Sequence, residues 1–221
     1  MDEELFILGA GGFAKEAYLL IERLGLDGGA ARCAGLVDVD PSGPTERFGG
    51  RDLPVFDQSS FAATHRGATL VLGIANPRVI QGLCKTFAGW RFATLVDPSV
   101  HVHPSTTLGE GTVVAAGTQL SLDVEIGAFN VLNPGVIVGH DTRTGTGNVL
   151  NPGAVLSGSV TLGEGNLVGS RATVLQGLQV GSWATIGAAA LVTRDVQDGA
   201  LMKGVPARPD PAAAPSGTSQ P

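Results

Sequence analysis

The sequence predicts two units in series: a small parallel α/β unit over residues 1–94, then a triangular β-helix over residues 95–200. Three observations carry this. Aliphatic side chains recur at a strict interval of six from Val96 to Val192. The hexamer NVLNPG begins at Asn130 and again at Asn148, 18 residues later. The first third reads as strand, glycine loop, helix, strand.

The repeat dominates. Stepping by six from Val96 to Val192 gives 17 positions, of which all but Thr144 are Val, Leu or Ile. An amphipathic helix repeats near 3.6 residues and a strand near 2, so a period of six fits neither. It fits hexapeptide coils in which each hexad forms one side of a triangle. The residue four places after each aliphatic also turns inward, and Thr112, Thr118, Thr142, Ala154, Ala172, Ala184 and Ala190 are small enough to do so. Three hexads make an 18-residue coil, which places the two NVLNPG copies one above the other. Asn133 is then expected to stack on Asn151, their amides bonded along the ladder. Seventeen hexads make nearly six coils, a prism about 28 Å tall.

In the N-terminal unit, Leu5–Leu8 is an apolar strand running into the turn Gly9–Gly12. Ala14, Ala17, Leu20, Ile21 and Leu24 then mark one face of a helix. CAGLVDVD (33–40) is a strand ending in acids, ATLVLGIAN (68–76) another, and a helix follows Pro77. Alternation of this kind builds a parallel sheet. Gly9, Gly11 and Ala14 match the dinucleotide fingerprint loosely, with Asp38 placed to meet a ribose hydroxyl. The unit ends after about half a dinucleotide fold, which favours a mononucleotide or nucleotide-sugar over NAD. A glycine turn that serves packing alone is the other reading.

Composition narrows the function. A net charge of −6 gives no reason to expect nucleic acid or an anionic membrane. Two cysteines cannot form a disulfide framework. The start MDEELFILG lacks the basic region of a secretory signal, and no apolar run is long enough to span a bilayer, so the expected location is the cytoplasm. Residues 101–200 carry only ten charges. A charge-poor prism suggests a face buried against other copies, although Gly/Thr-rich repeats are charge-poor in any case. The tail 209–221, rich in Pro, Ala, Ser and Gly, is expected to be disordered.

His140 falls at a coil corner, between the two NVLNPG copies, with Asp141 beside it. Its register partners are Leu122 below and Gly158 above, and Asp141 lies over Asp123. A glycine over the imidazole is expected to leave a vacancy for a substrate atom. The neighbouring carboxylates favour a basic ring. Histidine suits removal of a proton from an attacking nucleophile near neutral pH. The other reading is a surface histidine at a corner. His101 and His103 invite a zinc reading, but His103 and His140 are two coils apart, about 10 Å along the axis, too far for one metal. No metal is expected, and both histidines are read as caps of the first coil. Lys203 and Arg208 follow the last hexad and either meet phosphates or are simply solvated.

Taken together, LGAGGFAKE (8–16), GLVDVDP (35–41), LGIANPR (72–78), the hexads, VGHD (138–141), NPGAVLSG (151–158), VTRDV (192–196) and KGVPAR (203–208) resemble one family. These are bacterial sugar acyltransferases that include sialic-acid O-acetyltransferases and UDP-4-amino-sugar N-acetyltransferases. The resemblance covers residues 5–208 and implies a Rossmann-like N-terminal domain before a left-handed β-helix. It implies a homotrimer with acetyl-CoA in the groove between prisms, a UDP-linked amino-sugar as acceptor, and a place in polysaccharide assembly. His140 becomes the base and Asp141 its tuner. The sugar nucleotide falls to Gly11, Gly12, Phe13, Asp38 and Gly73, and acetyl-CoA to Val149, Gly158, Ser170 and Ala188. Many members carry histidine where this chain has Phe13 and Val149, so side-chain contacts at those two positions are lost. O-acetylation of a sugar hydroxyl is the nearest alternative, and a regulatory or NAD-linked nucleotide-binding protein a more distant one.

Overall fold

The computed structural model describes residues 3–25 and 31–210. The chain opens with β1 (Glu3–Leu8), α1 (Gly12–Arg23), β2 (Ala31–Asp38), β3 (Thr45–Phe48), β4 (Arg51–Asp57), α2 (Gln58–Thr64), β5 (Thr69–Leu72), α3 (Pro77–Thr86) and β6 (Arg91–Phe92). One six-stranded sheet has the order β3-β4-β2-β1-β5-β6. It is parallel except for the β3–β4 hairpin. That hairpin and α2 add to the elements expected from the sequence. Gly49 and Gly50 sit at its tip with φ of 53° and 87°, conformations that favour glycine and suit a two-residue hairpin turn.

From Leu95 onward the chain winds through two-residue strands, each paired in parallel with the one 18 residues later. Three stacked sheets result, one per side of the prism. The inward aliphatics from Ile126 to Val192 are buried, Thr144 included. The small residues at the second inward position are buried as expected. From position 111 to 189 every sixth residue has a left-handed φ, so each corner bends through the same conformation. Glycine fills half of these positions. Asp123, Phe129, Asp141, Ser159, Arg171, Trp183 and Ala189 take it at a cost of about 1–2 kcal/mol each.

The NVLNPG copies do stack, with Val131 on Val149 and Leu132 on Leu150. The amide ladder, however, uses the first asparagine of the motif, not the second. Asn130 Oδ1 accepts from the Asn148 N–H at 2.9 Å, Asn148 Oδ1 from the Asn166 N–H at 2.8 Å, and Asn166 Oδ1 from the Ala184 N–H at 2.7 Å. All three asparagines are fully buried, where an unpaired amide would cost most, so each coil supplies acceptors for the next. Asn133 Nδ2 instead donates to the Leu150 carbonyl.

The last turn is shorter by two residues. Val180 bridges Val196, and Thr185–Ile186 pairs with Leu201–Met202. Met202–Lys203 folds back on Arg208–Pro209 as an antiparallel hairpin and the Asp210 N–H donates to the Leu201 carbonyl, so Pro209 and Asp210 belong to the fold. The rest of the expected disordered tail, 211–221, lies outside the described residues.

The α/β unit packs against the sheet carrying Val113, Val131 and Val149, whose outward side chains join its core. Arg23 at the end of α1 closes the junction. Its Nε and Nη2 donate to the two carboxylate oxygens of Asp97 at 2.5 and 2.9 Å. Asp97 is 2% exposed and also accepts from the Ser99 N–H and hydroxyl. The Arg23 guanidinium first, helped by Ser99, lowers the Asp97 carboxyl to about 2. A depressed carboxyl contributes stability above its unfolded value of 3.8 and loses it as pH falls towards about 2. Asp97→Asn is therefore expected to destabilise the protein by ~2 kcal/mol at pH 7. In thermal melts the gap from wild type should narrow as pH drops below 4. A gap that persists unchanged at pH 2 would show that the charge pair is not its source.

Candidate active site

His140 sits at the corner between the sheet of Ile137–Val138 and that of Arg143–Thr144, which lies away from the α/β unit. The corner conformation at Asp141, φ 57°, sets the two side chains together, and His140 Nδ1 meets Asp141 Oδ2 at 2.7 Å. A carboxylate only accepts, so Nδ1 carries the proton and a neutral ring keeps its lone pair on Nε2. The two side chains are 65% and 59% exposed, so Nε2 is open to a substrate.

The expected vacancy above the ring is absent, because the ring itself fills it. A Cβ on Gly158 would lie 2.6 Å from Nε2, 2.7 Å from Cε1 and 3.1 Å from Cδ2. Nearly equal distances to three ring atoms place that point over the ring face, not along the Nε2 lone pair. Gly158 is thus a seat for the imidazole. Any larger residue would push the ring off it, and the substrate must approach in the ring plane from the solvent side. Register predicts which residue lies above another but not how a side chain leans.

The other expected site residues separate into groups. Gly11 and Gly12 are exposed with open space around them, and Gly11 precedes α1 without a side-chain cap, leaving the first-turn amides of that helix facing outward. Asp38 supports this loop, since its carboxylate accepts from the N–H groups of Ala10 at 2.8 Å and Asp40 at 3.2 Å. Phe13 is half-buried and lines an apolar cleft of about 140 Å³ between α1 and the coils, with Ala115, Ala116 and Pro134. Gly73 is buried, and a Cβ there would strike Ile7 and the Leu8 carbonyl at 2.4 and 2.6 Å. The missing side chain permits this close strand packing.

Val149 is fully buried beneath the α/β unit, on a different side of the prism from His140. Ser170 and Ala188 are exposed and stack 18 residues apart, but on another corner than His140 and Gly158. One chain therefore does not gather all the expected residues at one point. His103 Nδ1 engages the Ser105 hydroxyl and N–H. Lys203 pairs with Asp210 at 2.7 Å, and Arg208 donates to the Ala207 carbonyl.

The two open sides of the prism differ. One presents Thr107, Glu125, Arg143, Thr161 and Gln179, all exposed, with Arg143 paired to Glu125 at 3.1 Å. The other presents Ile137, Val155, Thr173 and Leu191, bordered by exposed Leu122 and Leu175. Among the described residues, no helix is long and apolar enough to cross a membrane.

No protein-family model matches the sequence, and none of the curated proteins does. Solved structures do. The chain is similar to perosamine N-acetyltransferase from Caulobacter crescentus, crystallised with CoA and GDP-perosamine. The two are 32% identical over 94% of this chain and 97% of that one, with a TM-score of 0.83. Two further structures of that enzyme replace one histidine by asparagine or alanine and hold the same two molecules. The acetyltransferase domain of PglB from Neisseria gonorrhoeae, in complex with acetyl coenzyme A, is 27% identical over 95% of this chain and all of that one, TM-score 0.83. WeeI from Acinetobacter baumannii, 24% identical over 94% of this chain and 99% of that one, shares the fold with a TM-score of 0.82. With a 32% identical relative spanned over almost its full length, this chain belongs to the sugar acyltransferases built on hexapeptide, left-handed β-helix coils.

Proposed function

We propose that the protein is an acetyl-CoA-dependent N-acetyltransferase whose acceptor is the amino group of a nucleotide-linked sugar, with His140 as the general base. The observation that carries this is the exposed imidazole tied through Nδ1 to Asp141, which leaves Nε2 for the acceptor's proton. The amine nitrogen attacks the thioester carbonyl, and its proton passes to Nε2. The new C–N bond forms as the C–S bond breaks, and CoA leaves as the thiol once a proton reaches its sulfur. Asp141 fixes the ring and stabilises it while it carries charge. The relative with CoA and GDP-perosamine supports both substrates, and its histidine variants support a histidine at the reaction.

The sugar nucleotide belongs, on this reading, to a Rossmann-like domain of residues 1–94, its phosphates near the Gly11–Gly12 amides of α1 and its nucleoside towards Asp38. Residues 95–200 form the acyltransferase prism and 201–221 a terminal segment. The protein works in the cytoplasm, where nucleotide-sugars and acetyl-CoA are available. A homotrimer completes the site. The split of Ser170 and Ala188 from His140 supports this, because the corner of one copy can face the His140 edge of the next. The apolar side bearing Ile137, Val155 and Leu191 supplies a surface for that contact.

A panel of nucleotide-sugars differing only in amine or hydroxyl at the acceptor carbon, each as UDP and GDP forms, tests the reading. Acetyl transfer to the amines alone is expected. Transfer to the hydroxyls alone would make it an O-acetyltransferase, and nicotinamide binding without acetyl-CoA binding would remove the enzyme reading altogether.

A further inference from the structure

The corner that carries His140 is a straight edge of the prism. Its rungs are joined by the Asp141 N–H to the Leu122 carbonyl, the Ser159 N–H to the His140 carbonyl and the Gly177 N–H to the Gly158 carbonyl. Equivalent positions on this edge are therefore Leu122, His140, Gly158 and Gln176 in ascending order, about 4.8 Å apart. An exposed leucine means little by itself. Leu122, 51% exposed, stands one rung beneath the imidazole, and that place gives it a role.

An acyl-CoA thioester has two unlike halves, a long polar arm that ends in phosphates and a short apolar acyl group. The two directions along the edge are unlike too. Above His140 stand Gly158, which bears no side chain, and exposed Gln176, whose amide can bond to the amides of the arm. Below stand apolar Leu122 and the exposed carboxylate of Asp123, which repels phosphates. The polar arm therefore rises from the sulfur, and the acyl group descends towards Leu122. With the carbonyl carbon beside the imidazole, an acetyl methyl lies about 1.5 Å further down. A methyl carbon meets the next carbon at about 3.5–4.0 Å. The two lengths together come close to one rung, so acetyl fills the space above Leu122 and each further methylene drives the chain into it.

We infer that Leu122 is the floor of the acyl slot and restricts the donor to acetyl-CoA over longer acyl-CoA thioesters. This rests on the acyltransferase reading above and adds to it the residue that sets acyl length. Leu122 touches only the acyl tail, so the bonds made and broken remain those of the transfer step already described.

The test compares wild type, Leu122→Val and Leu122→Ala with acetyl-, propionyl- and butyryl-CoA, at saturation with whichever amino-sugar nucleotide of the panel above is acetylated. One methylene in an apolar pocket is worth about 10–200-fold in kcat/KM. Wild type should prefer acetyl-CoA to propionyl-CoA by about tenfold or more, and to butyryl-CoA by a wider margin. Leu122→Val should take propionyl-CoA nearly as well as acetyl-CoA, and Leu122→Ala should take butyryl-CoA as well. Leu175→Ala controls for a disturbed contact between copies. Leu175 borders the same apolar side of the prism but stands two rungs above, beside Gln176, so its truncation should leave the donor preference unchanged. Should Leu122→Ala fail to assemble, Leu122→Val decides, because it removes a single methylene. Equal use of butyryl-CoA and acetyl-CoA by wild type, a loss shared equally by all three donors in Leu122→Val, or the same shift in Leu175→Ala overturns the assignment. If wild type acetylates no member of the panel, the acyltransferase reading has failed instead.

Discussion

His140→Ala is expected to lower kcat by about 10²–10⁴-fold, the usual contribution of a positioned proton acceptor. Release of CoA thiol, followed continuously with the amino-sugar acceptor saturating, would measure it. The ring is mostly exposed and its truncation opens no cavity, so the melting temperature and the oligomeric state should hold. The loss must then appear as turnover per folded site. A variant that retains full kcat would remove proton abstraction by this residue from the mechanism, even if KM for either substrate rose.

Gly158→Ala tests the seat rather than the base. The backbone at Gly158 is not left-handed, so alanine is conformationally allowed there. The nearest atoms it would meet all belong to the His140 ring, with Nε2 at 2.6 Å and Cε1 at 2.7 Å. A carbon atom cannot sit that close to the ring, and the imidazole is the flexible partner. It should swing away by about an ångström, pulling against the Asp141 contact. Misplacement on that scale typically costs on the order of 10²-fold in rate. Stability should change by no more than about 0.5 kcal/mol, since ring and carboxylate are both at the surface. Near wild-type turnover in Gly158→Ala, with the ring displaced in its crystal structure, would mean that the seat has no catalytic role.

The sequence held the prism in plain view because a closed three-sided coil forces a period of six on its interior. Burial of the inward aliphatics at the predicted interval follows from geometry that no local propensity could hide. The corner conformation was legible only where glycine marks it, as at Gly135 and Gly153. Arg171 and Trp183 adopt the same φ with no sign in their type. The Gly49–Gly50 pair signalled the β3–β4 hairpin and could have been read as a two-residue turn.

The site was legible in register and opaque in rotamer. Spacing by 18 correctly set Gly158 over His140, yet the ring lies on the glycine where a void was expected. The motif's two asparagines are equivalent in the sequence, and only the inward turn of Asn130 and Asn148 decides which builds the ladder. The burial of Val149 was hidden for another reason. The hexad pattern treats the three sides of the prism alike and does not reveal which one the α/β unit covers. Nor does it show the Arg23–Asp97 clamp, whose partners are 74 residues apart.

In the proposed mechanism, His140 Nε2 takes the proton of the acceptor amine. A crystal structure of the wild-type protein with CoA and a nucleotide-linked amino-sugar tests it most directly. The amine nitrogen is expected in the plane of the ring at about 2.6–3.2 Å from Nε2, with the CoA sulfur beside it. An amine held by some other side chain, with the His140 edge facing only solvent, would contradict it.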